Sequence, residues 1–419
     1  MLRIIARPGL RYVLLANVIS MFGSGMNIAA VTWFLLQATH SEVYLAYLVI
    51  LQTIPSLLLG PFSGVIIDRE DRRHLLMVLD SGRGAVILVV ALLALTHHVQ
   101  LWHLYAMGMV VSVGHWMFWP TVNALMQELT PAEDFVHANT FLMAGVQGGW
   151  MIAGAVVGFM YDHIGLGGIL LIDVMTYVAS MLCYFAVRKG KQVVQKPTDP
   201  LRELEQAAMS AFQRYMHDLA EGLQFVRTRP KVLQLGISWM LFLGALMTTS
   251  IITAPLSEHI LHGGAKAYGW LNGAWGTGAL LAALGTAAFI ARVGAHRAVT
   301  YCFAVLAFGM YLVPFSRMVW IAMTMFLFMG ASRSLCGIAI SSDMMHAVPK
   351  HMMGRVQNIF YFAGMVLQVL LSAVIGWVAH DWSLTAAFCI IASVFLIAML
   401  LTLGHEPAPE AEPSEAGSA

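Results

Sequence analysis

Two ionisable residues lie deep inside apolar runs of this chain, and their types suggest the chemistry. His115 falls in the run 101–126 and Arg333 in the run 318–341. An arginine stays charged and presents a planar fork of donors suited to a carboxylate, a phosphate or another substrate oxygen. A histidine changes charge between about pH 5 and 8, which suits proton exchange. Such groups are costly in apolar surroundings, so each is expected to face a cavity or a partner. The plainer reading pairs Arg333 with Asp343 or a carbonyl and leaves His115 as a packed, satisfied side chain.

Around His115 stand Trp116, Phe118, Trp119 and Asn123, and the first apolar run carries Ser24, Asn27 and Gln37. An aromatic wall with scattered amides suits a bulky amphipathic ligand held by shape and a few polar contacts. The 28 methionines suit an adaptable surface, and equally plain packing. Carboxylates in or near the apolar runs are few: Asp80, Glu128, Asp173 and Asp343. Glu128 and Asp343 end the fourth and tenth runs and join His115 as candidates for proton coupling, whereas Asp173 receives no role.

These residues must be positioned by membrane helices. The chain has 419 residues, is 59% hydrophobic and 11% charged, and has a mean hydropathy of +0.75. That balance excludes a soluble globular protein. A hydrocarbon core of about 30 Å takes about 20 apolar residues per helix, and long continuous runs exclude an alternating barrel pattern. Runs near 12–36, 43–67, 74–95, 101–126, 138–160, 166–187, 231–256, 268–291, 298–316, 318–341, 354–379 and 383–403 predict an all-α membrane protein with twelve transmembrane helices. The expected organisation is a six-helix half over 1–187, a cytoplasmic linker over 188–230, a second six-helix half over 231–403, and a disordered tail over 404–419.

Lysine and arginine fall mainly on one side of the alternating runs, with Lys266 and Arg317 on the other, so both termini and the linker are expected in the cytoplasm. Within the linker, Leu204, Ala208, Phe212, Tyr215, Leu219, Leu223 and Val226 mark an amphipathic helix, expected along the membrane surface and started near Asp199-Pro200. Cys183, Cys302, Cys336 and Cys389 lie in apolar runs at unrelated spacings, which argues against a disulfide framework or a zinc site. His97, His98 and His103 lack carboxylate or cysteine partners at ligand spacing, so no metal site is expected. No Gly-x-x-x-x-Gly-Lys phosphate loop occurs.

Shifting the chain by 218 residues places Pro131 on Pro349, Ala155 on Ala373, Val156 on Val374, Gly158 on Gly376 and His115 on Arg333. The register indicates an internal repeat.

Between the second and third runs stands Gly64-Val-Ile-Ile-Asp68-Arg69-Glu-Asp-Arg72-Arg73. Its Gly-x-x-x-Asp-Arg-x-x-Arg-Arg spacing resembles the loop signature of the major facilitator superfamily of membrane transporters. Asp68 is expected to cap or face a helix N-terminus, where the dipole favours an anion, and the arginines to hold the loop on one side of the bilayer. Asp80 and Arg83, one turn apart, resemble the pair that follows the signature in drug and siderophore exporters. The resemblance thus implies a cytoplasmic gate of Gly64, Asp68, Arg69, Arg72, Arg73, Asp80 and Arg83. It also implies two six-helix halves, with the first, fourth, seventh and tenth helices lining a central cavity that presents Ser24, Asn27, His115, Trp116, Trp119, Asn123 and Arg333.

The run Gly154-Ala155-Val156-Val157-Gly158-Phe159 resembles the Gly-Pro-x-x-Gly-Gly antiporter signature, with Ala for Pro and Phe for the last Gly, and the family's fourth-helix arginine is absent. The signature, Asp80 and Thr130-Pro131 to Ala138-Asn139 resemble the macrolide and siderophore exporter branch. The implied function is proton-coupled export of small amphipathic organic molecules, anionic ones among them, by a monomer in the cell (inner) membrane, without cofactor or nucleic acid. Alternatives are a lysophospholipid transporter, a metabolite or siderophore importer, and a non-transporting receptor.

Overall fold

The computed structural model describes residues 8–69, 71–130, 135–187 and 211–403, which are helical almost throughout and contain no strand. In order they form α1 (Pro8–Thr39), α2 (Glu42–Arg69), α3 (Arg72–Leu95) and α4 (Leu101–Leu129). The run Phe135–Ala186 follows, broken at Gly165 (φ 61°) into α5 (135–164) and α6 (166–186). After α7 (Ala211–Arg227) come α8 (Pro230–Pro255), α9 (Gly264–Val293), α10 (Ala295–Leu312), α11 (Val319–Ala347), α12 (Lys350–Asp381) and α13 (Leu384–Leu403). Every apolar run read from the sequence is helical, as backbone polar groups deprived of water require.

Among the described residues, eight helical stretches suffice by length and composition to cross a membrane: Gly9–Thr39, Arg72–Leu95, Gly148–Ala186, Pro230–Ile260, Ala295–Phe315, Val319–Met345, Met352–Asp381 and Leu384–Leu403.

Local signals set the helix ends. Asp71 caps α3: its carboxylate accepts from the backbone N–H of Arg73 at 3.0 Å and of His74 at 3.2 Å. Asp71 stands directly before the helix, where those orphan donors are in reach, whereas Asp68 is still inside α2. His103 Nδ1 accepts from the Gln100 N–H at 2.9 Å and so closes the start of α4. Pro255 ends α8, and a π turn, Leu256–Ile260, leads toward α9.

Helix α1 packs on α5 and α6, and α3 packs on α4 and α6; among the later helices, α9 packs on α11, α8 on α12, and α10 on α11 and α13. Among the described residues, the two most extensive interfaces between the earlier helices and the later ones are α5 with α9 and α2 with α12. Both depend on missing side chains. A Cβ on Gly158 would stand 2.5 Å from Gly269 Cα, and one on Gly376 would stand 2.4 Å from Ala46 Cβ. Between membrane helices such small residues let backbones approach, where lipid offers no hydrophobic drive.

The amphipathic linker helix does not rest on a membrane surface alone. Over its described part, α7 docks on α12: Arg355 pairs with Asp218 at 2.8 Å and Glu221 at 2.6 Å, Gly222 lies against Ile359, and Val226 is buried with Val356 and Phe360. Its expected start near Asp199-Pro200, with Leu204 and Ala208, lies outside the described residues, as does the tail after residue 403.

Candidate functional site

The end of the bundle that carries the α2–α3 and α4–α5 connections is here called proximal, and the opposite end distal. At the proximal end Arg72 of α3 is paired with Glu128 of α4, and Arg73 donates to the Phe185 carbonyl at 3.0 Å. The basic cluster therefore staples α3 to the ends of α4 and α6. Helix α2 carries the backbone through Gly64 and Asp68 to Arg69, whose surroundings lie outside the described residues.

Asp80 and Arg83 do not sit at that surface. They are 0% and 1% exposed, paired with each other, and Asp80 also accepts from Ser180 of α6 at 2.7 Å. The guanidinium lies over the rings of Phe118 at 4.7 Å and Tyr177 at 4.8 Å, and its stem crosses Gly114, where a Cβ would come within 2.7 Å. The loss of hydration is thus offset by one carboxylate and two π faces.

This pair belongs to a larger buried network that ties α1 to α6. Asn27 donates to Asp173 Oδ2 at 2.9 Å, Thr176 donates to Asp173 Oδ1 at 3.3 Å, Ser24 bonds Tyr177 at 3.0 Å, and Asn17 donates to the Tyr184 hydroxyl at 3.3 Å. Ser24 and Asn27, expected on a cavity wall, are instead 5% and 6% exposed and turned to α6. Their polar atoms find fixed partners there, which is the low-energy outcome for such groups away from water. Asp173, left without a role by the sequence, is 0% exposed at the centre of the network. A signal was present: Asp173, Thr176, Tyr177, Ser180 and Tyr184 recur at three- and four-residue steps, a polar stripe on an apolar helix.

A second set of polar groups has no such partners. His115, Asn123 and Arg333 are half-buried, and none makes a hydrogen bond or ion pair among the described residues. His115 lies within reach of Arg83's charge. The indole N–H of Trp116 is buried and unpaired, and its ring packs on Tyr361 of α12 at 5.0 Å. Trp119 meets Phe118 edge to face at 6.5 Å. Arg333 lies one turn after Gly330 and one turn before Gly337, on the face of α11 that packs against Trp275 of α9 and Phe242 of α8. Asp343, half-buried further along α11, is engaged by the protein. Open donor capacity without a protein acceptor is what a ligand site presents.

At the distal end the earlier and later helices close on one another. Trp33 stacks on Tyr268 at 5.6 Å, and Phe159 meets Trp270 at 5.1 Å. Buried Glu42 lies 3.7 Å from His259 Nε2 in the π turn and 3.7 Å from His380 Nδ1 at the end of α12. One carboxylate thus clasps two later elements whenever those imidazoles are protonated.

A profile of the Major Facilitator Superfamily matches residues 13–370, and again 237–419. The chain belongs to this superfamily. It is 24% identical over 409 residues to an uncharacterized MFS-type transporter of Bacillus subtilis (strain 168), YfiS, covering 95% of this chain and 93% of that one. It is 21% identical over 245 residues to macrolide efflux protein A of Streptococcus pyogenes, a match that spans 58% of each chain. Solved structures share the fold: nucleoside transporter NupG at a TM-score of 0.70 and 10% identity, covering 94% of this chain and 98% of that one, and a bacterial homologue of the iron transporter ferroportin at 0.72 and 14%, covering 96% and 98%.

One cavity of this facilitator lies apart from the unpaired polar groups. It has a volume of about 750 Å³ between α5, α9 and α11, and Phe159, Met160, Trp270, Thr277, Trp320 and Met323 line it. Its wall is almost wholly apolar.

Proposed function

We propose that this facilitator is a secondary-active exporter of small amphipathic organic molecules, working by alternating access between two six-helix halves. In this reading the twelve membrane helices are α1–α6 and α8–α13, with α7 in the cytoplasm. Lysine and arginine are concentrated at the proximal end, which by the positive-inside bias is cytoplasmic, so the distal end faces outward. The close ties between the helix groups gather toward the distal end, so the arrangement is closed outward and receives substrate from the inside.

The observation that carries the reading is Arg333, a membrane-helix arginine without a protein partner among the described residues. With His115, Asn123 and Trp116 it supplies donors for a substrate oxygen, against a wall of Trp116, Trp119 and Tyr361. The Arg72–Glu128 and Arg73–Phe185 staples, with Asp68 and Arg69, make the proximal gate. The kinship with macrolide efflux protein A supports the outward direction. Purified protein in liposomes tests the reading with a radiolabelled macrolide: movement toward the distal side under an imposed pH gradient is expected, and no flux in either direction overturns it.

The apolar cavity supports a second reading, transport of a lysophospholipid. Trp320 is 71% exposed at its edge, and the cavity offers room and apolar contact for a hydrocarbon chain. Flux of a labelled lysophospholipid, with none of the macrolide, would select it.

A further inference from the structure

The buried network of α1, α3 and α6 has an unequal charge count. It holds two carboxylates, Asp80 and Asp173, each 0% exposed, and one guanidinium, Arg83. That guanidinium is paired with Asp80. Asp173 has only neutral donors, the Asn27 amide and the Thr176 hydroxyl, and makes no ion pair among the described residues. With both carboxylates ionised the network keeps one negative charge away from water, which is strongly unfavourable; one proton removes it.

We infer that Asp173 is the proton-binding residue of this protein, taking up and releasing one proton as α1 moves against α6. The coupling part of this inference rests on the transporter reading; proton binding itself does not. The ionisable groups facing Asp173 are Asp80 and Arg83 on α3 and Tyr177 on its own helix, with Tyr184 a further two turns along. His115 on α4 stands beyond Arg83, and the contacts from α1 (Gly23, Ser24, Asn27) are not ionisable. Arg83 keeps a buried nitrogen, Nη1, without a hydrogen-bond partner, so its fork has capacity for a second carboxylate when Asp173 loses its proton.

The contact with α1 links protonation to conformation. A Cβ on Gly23 would stand 1.9 Å from Thr176 Oγ1 and 2.3 Å from Asp173 Oδ1, so the backbone of α1 lies directly against the carboxyl group. A displacement of α1 relative to α6 must stretch or break the Asn27–Asp173 bond. Further along the same helix Trp33 stacks on Tyr268 of α9, part of the distal closure. In the step itself a proton from water adds to one carboxylate oxygen of Asp173, the charge of the network rises from −1 to zero, and the reverse step returns the proton to water.

Infrared difference spectroscopy of the purified full-length protein tests this without any substrate. A carbonyl stretch of a protonated carboxylic acid is expected in the wild type, lost as pH is raised and absent from Asp173→Asn. It is also expected to be lost in Asp80→Asn, where Arg83 is left to neutralise Asp173. A band that persists in Asp173→Asn, that stays unchanged in Asp80→Asn, or that is missing from the wild type at every pH overturns the assignment. In liposomes, accumulation of a radiolabelled macrolide under a pH gradient is expected to vanish in Asp173→Asn and return in Asp173→Glu. Retained accumulation in Asp173→Asn, or accumulation driven by a sodium gradient in place of the pH gradient, overturns the coupling role. If the macrolide is not moved by wild type, the export reading fails while the infrared result still decides proton binding.

Discussion

Gly158 of α5 and Gly376 of α12, 218 residues apart in the sequence, do the same thing in the structure. Each removes a side chain where an earlier helix meets a later one, Gly158 against Gly269 and Gly376 against Ala46 and the Glu42 carbonyl. The two positions that the 218-residue shift superposes therefore act alike, one glycine at each of the two most extensive seams. A side chain at either seam must push backbone apart, because Gly158 faces the main chain of α9.

Gly158→Leu and Gly376→Leu are each expected to lower stability by about 1–3 kcal/mol through overpacking. Gly82→Ala, where a Cβ meets nothing within 4 Å, is expected to leave it within about 0.5 kcal/mol. Thermal unfolding of the detergent-purified protein measures this. Equal midpoints for all three would remove the glycine seams from the account.

Arg83→Met leaves Asp80 buried without its cation and is expected to destabilise by about 3–5 kcal/mol. Adding Asp80→Asn is expected to recover most of that loss, because the uncompensated charge goes with it. Unfolding of the single and double variants checks the pair; a double variant no better than Arg83→Met would contradict it.

Arg333→Ala is expected to weaken binding of an amphipathic anion by about ten- to a hundredfold, the equivalent of one charge-assisted hydrogen bond of about 1.5–3 kcal/mol. Arg333→Lys is expected to lose less, since charge remains although the fork is gone. The readout is the thermal shift produced by a panel of amphipathic anions and their neutral counterparts. Identical shifts in wild type and both variants would take Arg333 out of the site.

Much of the fold was legible because long apolar runs leave a backbone little choice but helix. The sharing of tasks among polar residues was less so. His115 and Arg333 stood out as lone ionisable groups, and both are half-buried without hydrogen-bonded partners. Ser24 and Asn27 looked like cavity residues because a single helix pattern does not tell which neighbour a polar face meets; that face meets α6. Asp80 and Arg83 adjoin the basic loop in sequence, yet about two to three turns of helix carry them inward to Ser180 and Tyr177. The cap of α3 falls to Asp71, which the family signature leaves unspecified, because it stands directly before the helix and its carboxylate reaches the free N–H groups.

In the proposed alternating access, substrate moves only if the distal seam opens. Glu42 approaches His380 to 3.7 Å across that seam through the tips of two long side chains, so a Glu42→Cys/His380→Cys pair places one thiol on each side of it, which a bis-thiosulfonate reagent bridges through two disulfides. The direct measurement is flux of a radiolabelled macrolide through liposomes bearing this variant, before and after reduction. The cross-linked protein is expected to be arrested and the reduced protein to transport again; full flux through the cross-linked protein would contradict alternating access.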